Sequence, residues 1–404
     1  MSTSILYHAF GIHDYEHVKT VFKEGRVTFT VRHKRASARC SVCGCWSVVR
    51  HGEQERTFRT VPIGSKTVLL NVLIPRVECR ACGVIRQVRL SFAESRYSYT
   101  RAFERYVLEL SQAMTILDVA RHLDVGWDTI KDIQKRNLQR RYKKVKLRDL
   151  QQIAIDEISI GKGHRYVTIV LNLLTGAVVF IGEGKGAAAL APFWPKLKAA
   201  RARIKAVATD MSAAYIQAVQ ENLRGAVQVF DHFHVIKLFN DKLSEFRRQL
   251  FNEAIGPLEK KVLKGTRWLL LKNPENLDPK RNERERLQEA LRLNQPLATV
   301  YYMKEDLRQI WEQEDKATAG RVFDDWVRRA EASGISMLQK FAYTIALGRS
   351  AILAYYDYPI STGPLEGTNN KIRTMQRQAY GFRDQEFFRL KVLAIHEAKY
   401  ALVG

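Results

Sequence analysis

Two short stretches of this chain repeat each other: CSVCGC at residues 40–45 and CRACG at residues 79–83. Each contains Cys-x-x-Cys-Gly. The spacing lets both thiolates of one turn reach a single ion, and the glycine permits the positive-φ backbone that so tight a turn usually needs. Cys40, Cys43, Cys79 and Cys82 together supply four thiolates. Four thiolates fill a tetrahedral Zn²⁺ shell with no open position, so the site is structural and not catalytic. Between the turns lie RTFRTV and KTVLLNVLIPRV, rich in β-formers and separated by PIGS. The expected unit is a zinc ribbon over residues 39–95, preceded by an N-terminal segment, residues 1–38. A fifth cysteine, Cys45, is left over. It could replace Cys43 as a ligand, but the glycine directly after Cys43 favours Cys43. An odd number of cysteines in close pairs argues for metal over disulfides.

The 404 residues carry a formal net charge of +24, and 46% of them are hydrophobic. That length and composition describe a globular chain of two or more domains. So large a positive excess repels itself unless a polyanion is present, and nucleic acid is the first candidate. A membrane surface comes second, but no apolar run approaches transmembrane length, and no membrane partner is expected. The N-terminus, MSTSILYHAFGIHDYEHV, lacks the basic start and long apolar core of a signal peptide. The expected location is cytoplasmic and nucleoid-associated.

Downstream, over residues 96–148, the pattern turns helical. RAFERYVLELSQAM sets Phe103, Val107, Leu108 and Leu110 on one helical face. In the stretch that follows, Ala120 is small where two helices could cross, and Asp124-Val125-Gly126 makes a turn. Ile130 and Ile133 continue the buried face of the next helix. This spacing fits a helix-turn-helix. Its second helix carries Lys131, Lys135, Arg136, Arg140, Arg141, Lys143 and Lys144. With the overall charge, that basic run points to double-stranded DNA.

Acids then occur where core residues belong. The apolar run Ile153 to Ile155 ends in Asp156 and Glu157, and the apolar strand Ile204 to Ala208 ends at Asp210. A third strand runs into Asp231, His232 and His234. Three strands in a meander, then helix-strand-helix-strand, is the order of a ribonuclease-H-like fold. In that fold the first and fourth strands are neighbours, which would set Asp156 beside Asp210. Two adjacent carboxylates repel unless a cation sits between them, and Mg²⁺ takes hard oxygen ligands. Two ions about 4 Å apart can activate a nucleophile and stabilise a leaving phosphodiester oxygen. Near the C-terminus, Glu366 lies in a Gly-Pro-Leu-Glu-Gly turn that opens a helix. Asn369, Asn370, Lys371, Arg373, Arg377 and Arg383 follow. An acid at a helix start gains from the macrodipole in any protein; the asparagines and basic run beside it suit a metal-bound phosphate backbone.

The stretches IDEISIGKGHRYVTIVLNLLTGAVV, ATDMSAAYIQAV, VFDHFHVIKLFNDKL and ISTGPLEGTNNKIRTMQRQAYGFRD together resemble the DDE transposases of the ISL3 insertion-sequence family. The resemblance runs from about residue 38 to about residue 400. It implies an acidic triad at Asp156, Asp210 and Glu366 holding catalytic Mg²⁺ or Mn²⁺, and an Asp-x-x-His element at Asp231 and His234. His234 is either a core histidine or a group that orders the acids or meets the scissile phosphate. Two positions depart from the family: Ser361-Thr362-Gly363 stands where Ser-Asn-Gly is usual, and Gln376 stands where Lys is common.

The resemblance also implies an all-helical insertion over residues 237–355, between the second Asp and the Glu. It divides the catalytic domain into residues 149–236 and 356–404. The aromatics of the insertion, Trp268, Tyr301, Tyr302, Trp311 and Trp326, are expected in its core. The expected protein is thus α+β and multidomain: a zinc ribbon, a helix-turn-helix and an interrupted ribonuclease-H-like α/β catalytic domain. As a transposase it would bind the terminal inverted repeats of its own element and catalyse metal-dependent strand cleavage and transfer. Lys131, Lys135, Arg136, Arg140, Arg141, Lys371, Arg373 and Arg377 are its DNA-binding candidates. Two element ends must be joined, so a homodimer or larger assembly is expected on DNA. The rival readings are a nuclease outside transposition and a DNA-binding regulator without activity.

Overall fold

A computed structural model describes residues 5–161, 163 and 165–396; Lys162, His164 and both extreme ends lie outside the described residues. The chain divides into two compact units, Met1–Lys143 with Arg377–Gly404, and Lys144–Gln376.

The first unit begins with a sheet. Its strands are β1 (Tyr15–Lys23), β2 (Arg26–His33), β3 (Val48–Ile63), β4 (Lys66–Cys79) and the short β5 (Ile85–Gln87). The spatial order is β1-β2-β4-β3, with β5 pairing against β4. In β4, Val68, Leu70, Val72 and Ile74 recur at every second position and are all buried, as one face of a strand requires. They pack against Val27, Val31 and Phe58, and against Leu6 and Phe10 of the Ile5–Phe10 helix. The residues before 38, expected as a separate segment, therefore share the ribbon's sheet and core. The exposed, non-alternating face of β1 hid that strand in the sequence.

Three helices follow: Arg101–Leu110, Ile116–Leu123 and Trp127–Tyr142. Thr100 and Thr115 cap the first two, each accepting a backbone N–H three residues on. Asp124 ends the second helix in the left-handed conformation, φ 51° and ψ 55°, which Asp tolerates better than most residues. Phe103, Val107, Val119, Ala120, Leu123, Ile130 and Ile133 form the buried seam. A further helix, Gln385–Leu393, sets Phe387 and Leu390 against Leu138. Residues from 377 on, expected with the catalytic segment 356–404, thus pack with the helix-turn-helix.

The second unit is built on β6 (Gln152–Gly161), β7 (Arg165–Asn172), β8 (Val178–Glu183), β9 (Ala206–Thr209) and β10 (Val227–Phe230), in the order β10-β9-β6-β7-β8. β6, β7 and β8 form an antiparallel meander, and β9 and β10 run parallel to β6. The first and fourth strands are neighbours, as their order in the chain implied. Parallel pairing needs crossovers, supplied by helices Phe193–Ala199 and Ala213–Asn222, which cover Ile153, Ile155, Val170 and Val207. Gly182 is required by close approach: a Cβ there would stand 2.0 Å from the Ala189 carbonyl oxygen.

From His232 to Tyr356 the described residues are helical or loop. The His232–Glu253 helix runs unbroken through the expected boundary at 236/237. Phe239, Leu243, Leu297, Phe323, Trp326 and Phe341 form the core, and the Trp326 indole N–H donates to the Met303 carbonyl at 2.8 Å. Trp326 and Tyr301 are buried and Trp311 packs at the core's edge. Trp268 and Tyr302, expected in that core, are instead 66% and 58% exposed. On their helix Val300, Tyr301 and Met303 take the inward positions and leave Tyr302 outside, and Leu269 and Leu270 take them beside Trp268. No helix of the described residues is long and apolar enough to cross a membrane.

Candidate functional site

The knuckles bring four sulfurs together. The Sγ atoms of Cys40, Cys43, Cys79 and Cys82 all lie within 4.8 Å of one another. Cys40 and Cys82 are 3.7 Å apart, and Cys43 and Cys79 are 3.5 Å apart. A Zn–S distance of about 2.3 Å in a tetrahedron requires S···S edges of about 3.8 Å, so the sulfurs fit a zinc ion. Gly44 and Gly83, each following a knuckle, have φ of 76° and 68°. Backbone N–H groups lower the pKa of the Cys40 and Cys79 thiols, while burial and the neighbouring sulfurs raise that of Cys43 and Cys82, as expected of four thiols crowded together. Cys45 is outside the cluster; its sulfur accepts the Ser47 N–H at 3.3 Å.

The basic face of the Trp127–Tyr142 helix is largely engaged within its own unit. Lys131 and Lys135 reach Asp384 at 3.1 and 2.9 Å, and Lys135 also reaches Glu386 at 2.8 Å. Arg136 donates to the Tyr99 hydroxyl and lies 4.0 Å over the Tyr97 ring. Arg140 pairs with Glu104 at 2.7 Å. Arg141, Lys143 and Lys144 are exposed. The Phe387 N–H, with Lys135 and Lys131, holds the Asp384 carboxyl well below the usual carboxylate range. Trp127, which no sequence pattern singles out, is 44% exposed at the start of this helix, where a recognition helix meets base edges.

In the second unit, Asp156 lies midway along β6, just past its last pairing with β9, and not at the end of the strand; Asp210 and Asp231 follow the ends of β9 and β10. Ala154 pairs with Ala208, and Phe230 with Thr209. Continued two residues on β6 and one on β10, the same registers set Asp156 and Asp231 level with Asp210. Asp156 accepts the Glu157 N–H at 2.8 Å on Oδ1 and the Asn369 side-chain N–H at 2.9 Å on Oδ2. Burial pushes its pKa up and Asp210 adds to the rise, while the Glu157 N–H, His234 and Asn369 oppose it. Glu157 points elsewhere, accepting from the Tyr215 hydroxyl at 3.3 Å. Burial, then Asp210, raises its pKa too.

Asp231 is 1% exposed. It accepts the Phe233 N–H at 3.2 Å, the Thr362 N–H at 3.1 Å and the Thr362 hydroxyl. Because that hydroxyl donates to Asp231, His234 Nδ1, 3.2 Å away, donates to the hydroxyl oxygen. Thr362 thus does in this chain what an asparagine side chain could do as donor. Its N-terminal position fixes the Gly363–Gln378 helix, which carries Glu366, Asn369, Asn370, Lys371, Arg373 and Arg377. Glu366, Arg373 and Arg377 are exposed. Gln376, where Lys is usual, donates to the Ile160 carbonyl at 3.3 Å.

Among the described residues, only the four cysteines gather three or more His, Cys, Asp or Glu ligand atoms within 4.8 Å; the acids stand further apart. Even so, the donor set fits a hard cation. Asn369 is 6% exposed, and its Oδ1 has no hydrogen-bond partner. A buried carbonyl left without a donor costs about 1–3 kcal/mol, and this one adjoins a carboxylate that burial makes hard to ionise. Carboxylate and amide oxygens are the ligands that Mg²⁺ and Mn²⁺ take. The sequence places Asn369 and Thr362 beside Glu366 but does not reveal that Asn369 holds Asp156 and Thr362 holds Asp231. The only local signal is the closeness of Asn369 to Glu366.

Comparison with known proteins agrees with this layout. A family model described as a transposase matches residues 153–392. The helix-turn-helix domain of transposase family ISL3 matches residues 88–136, and the zinc-finger of transposase IS204/IS1001/IS1096/IS1165 matches residues 36–82. The transposase for insertion sequence element IS1001 of Bordetella parapertussis is 35% identical over 358 residues, 88% of each chain. That for element IS1557 of Mycobacterium tuberculosis is 30% identical over 390 residues, 89% of this chain and 86% of its own. Among solved structures, the Drosophila P element transposase strand transfer complex has a TM-score of 0.43 at 10% identity, covering 76% of this chain and 94% of that one. The transposase match spans more than half of the chain, with ribbon and helix-turn-helix matches ahead of it in order: the chain belongs to the ISL3 family of transposases, enzymes that bind DNA, cleave it and transfer its strands.

Proposed function

We propose that Asp156, Asp210 and Glu366 are the catalytic acids of this transposase and hold Mg²⁺ or Mn²⁺. Their sheet has the strand order of a ribonuclease-H-like domain, interrupted by the helices of residues 237–355. One observation carries the reading. The start of the Gly363–Gln378 helix is tied at Thr362 to Asp231, just past the end of β10, and at Asn369 to Asp156, midway along β6. Thr362, Glu366 and Asn369 follow the i, i+4, i+7 spacing of one helix face. Seven helical residues rise about 10.5 Å, and strands two places apart in a sheet are about 9.6 Å apart. The two lengths match, so the helix start spans the three strands β10, β9 and β6. By that spacing Glu366 comes opposite the middle one, where Asp210 follows β9.

A divalent ion held there supplies an activated water and a stabilised leaving oxygen. His234 steadies the Thr362 hydroxyl and, when protonated, lends positive charge toward Asp156. Arg373 and Arg377, one turn apart on the same helix, and Lys371 beside them take the DNA backbone. Lys131, Lys135, Arg136, Arg140 and Arg141 take phosphates of the element's terminal inverted repeats, exchanging protein partners for DNA. The ribbon's zinc holds the knuckles. Cleavage, then strand transfer into a target, takes place on cytoplasmic nucleoid DNA in a homodimer or larger assembly, since two ends must meet.

The test is substitution. Asp156→Asn, Asp210→Asn and Glu366→Gln should each abolish cleavage and strand transfer with Mg²⁺ or Mn²⁺ while leaving binding to end-sequence DNA intact. Glu157→Gln, whose side chain turns toward Tyr215, should retain activity. Full activity in any of the three, or loss in Glu157→Gln alone, would assign the chemistry to other residues.

A further inference from the structure

The geometry points to Asn369 as a positioning residue of the catalytic metal site: its Nδ2 holds Asp156, and its Oδ1 accepts from a water carried by the divalent ion. This rests on the assignment of Asp156 as a metal-holding acid. Three observations bear on it. The side-chain N–H of Asn369 donates to Asp156 Oδ2 at 2.9 Å, which fixes the other end of the amide as oxygen. That oxygen is buried and has no hydrogen-bond partner. The Asp156 carboxylate has its second oxygen held by the Glu157 N–H, so both of its oxygens are oriented before any ion arrives.

An asparagine kept only to orient Asp156 needs just its donor. Its acceptor would then be better removed, since nothing in the protein satisfies it. What an orphan carbonyl lacks is a donor, and water on a hard cation is a strong one. Mg²⁺ keeps several waters when carboxylates bind it, and groups that orient ligands from behind tune affinity as the ligands do. Asn369 therefore acts through Asp156 and through the ion's water, not on the scissile bond itself.

The experiment is Mn²⁺ titration of the zinc-loaded full chain by calorimetry, with melting curves recorded with and without Mn²⁺. Four proteins are compared: wild type, Asp156→Asn, Asn369→Ala and Asn369→Asp. Asn369→Ala should weaken Mn²⁺ binding by about 10–100-fold, the range seen when such supporting groups are removed. Asn369→Asp keeps the shape but sets a second charge beside Asp156. Its melting temperature should fall without Mn²⁺ and should rise with Mn²⁺ by more than that of the wild type. Wild-type affinity in Asn369→Ala overturns the inference. If Asn369→Ala fails to fold, Asn369→Asp decides: a melt that Mn²⁺ raises no further than it raises wild type overturns it equally. Asp156→Asn separates the two levels. Should it bind Mn²⁺ as the wild type does, the acid assignment itself fails; should it lose Mn²⁺ while Asn369→Ala keeps it, only the role of Asn369 fails.

Discussion

The Thr362 hydroxyl joins two parts of the second unit that lie 131 residues apart in the chain. Its acceptor, Asp231, is almost fully buried, so each donor around that charge matters. A hydrogen bond to a charged group contributes about 1.5–3 kcal/mol. Thr362→Val keeps the shape and the backbone N–H but removes the hydroxyl. It should lower the melting temperature of the second unit and slow strand transfer, because the helix bearing Glu366 loses an anchor. Thr362→Ser should restore both. A Thr362→Val protein that melts and reacts as the wild type does would show that the N–H alone suffices. This is also the scale at which the sequence stops being readable. The cysteine knuckles and the acids that break apolar runs stand out in the sequence because their signal is local: a spacing, a glycine, an apolar run broken by a charge. Thr362 and Asn369 gain theirs from Asp231 and from Asp156, 213 residues before Asn369, and no local pattern reports such a partner.

At the scale of elements, the Trp127–Tyr142 helix reads in the sequence as a free basic face, and the fold makes it partly a joint. The Gln385–Leu393 helix brings Asp384 and Glu386 to Lys131 and Lys135, with Phe387 and Leu390 against Leu138. Periodicity found the apolar positions Ile130 and Ile133 of the first helix but could not pair charges so distant in the chain. The Asp384 carboxyl has a depressed pKa in the folded protein, first through the Phe387 N–H and then through the two lysines. The sign follows from linkage. A depressed folded-state value means that the ionised form favours folding, so the contribution is complete above the unfolded value of about 4 and is lost as pH falls toward the folded one. Asp384→Asn should therefore melt below wild type at neutral pH, and the gap should narrow steadily as pH drops below about 4. A gap that is constant with pH would mean that Asp384 acts as a neutral helix cap and not through its charge. The exposed acid Glu386 should show the same trend more weakly, because solvent screens it.

For the whole molecule, the net charge of +24 and the division into two compact units say which perturbations should travel. Zinc is the sharpest case. Cys79 is the last residue of β4, and Cys40 stands just ahead of β3, so the metal cluster sits at one end of a sheet. The rest of that sheet has its own core, with Phe58, Val68, Leu70 and Val72 wholly buried. Each such side chain contributes about 1.5–3 kcal/mol when buried, so the sheet does not depend on the ion as an isolated zinc finger does. Removing zinc with a strong chelator should free the knuckles and leave most of the first unit folded. Thiol labelling gives the readout. With zinc bound, Cys45 should react and the other four should be protected; after chelation all five should react. The second unit shares no residue with the cluster, so its melting transition should stay where it was. Affinity for end-sequence DNA should fall, and with it the steepness of the salt dependence, by about one unit of slope for each phosphate that the protein no longer neutralises. If all five thiols react before any chelator is added, the cluster holds no metal. If chelation shifts the second unit's transition as well, the two units fold as one, and the sheet core of the first is not enough to stand on its own.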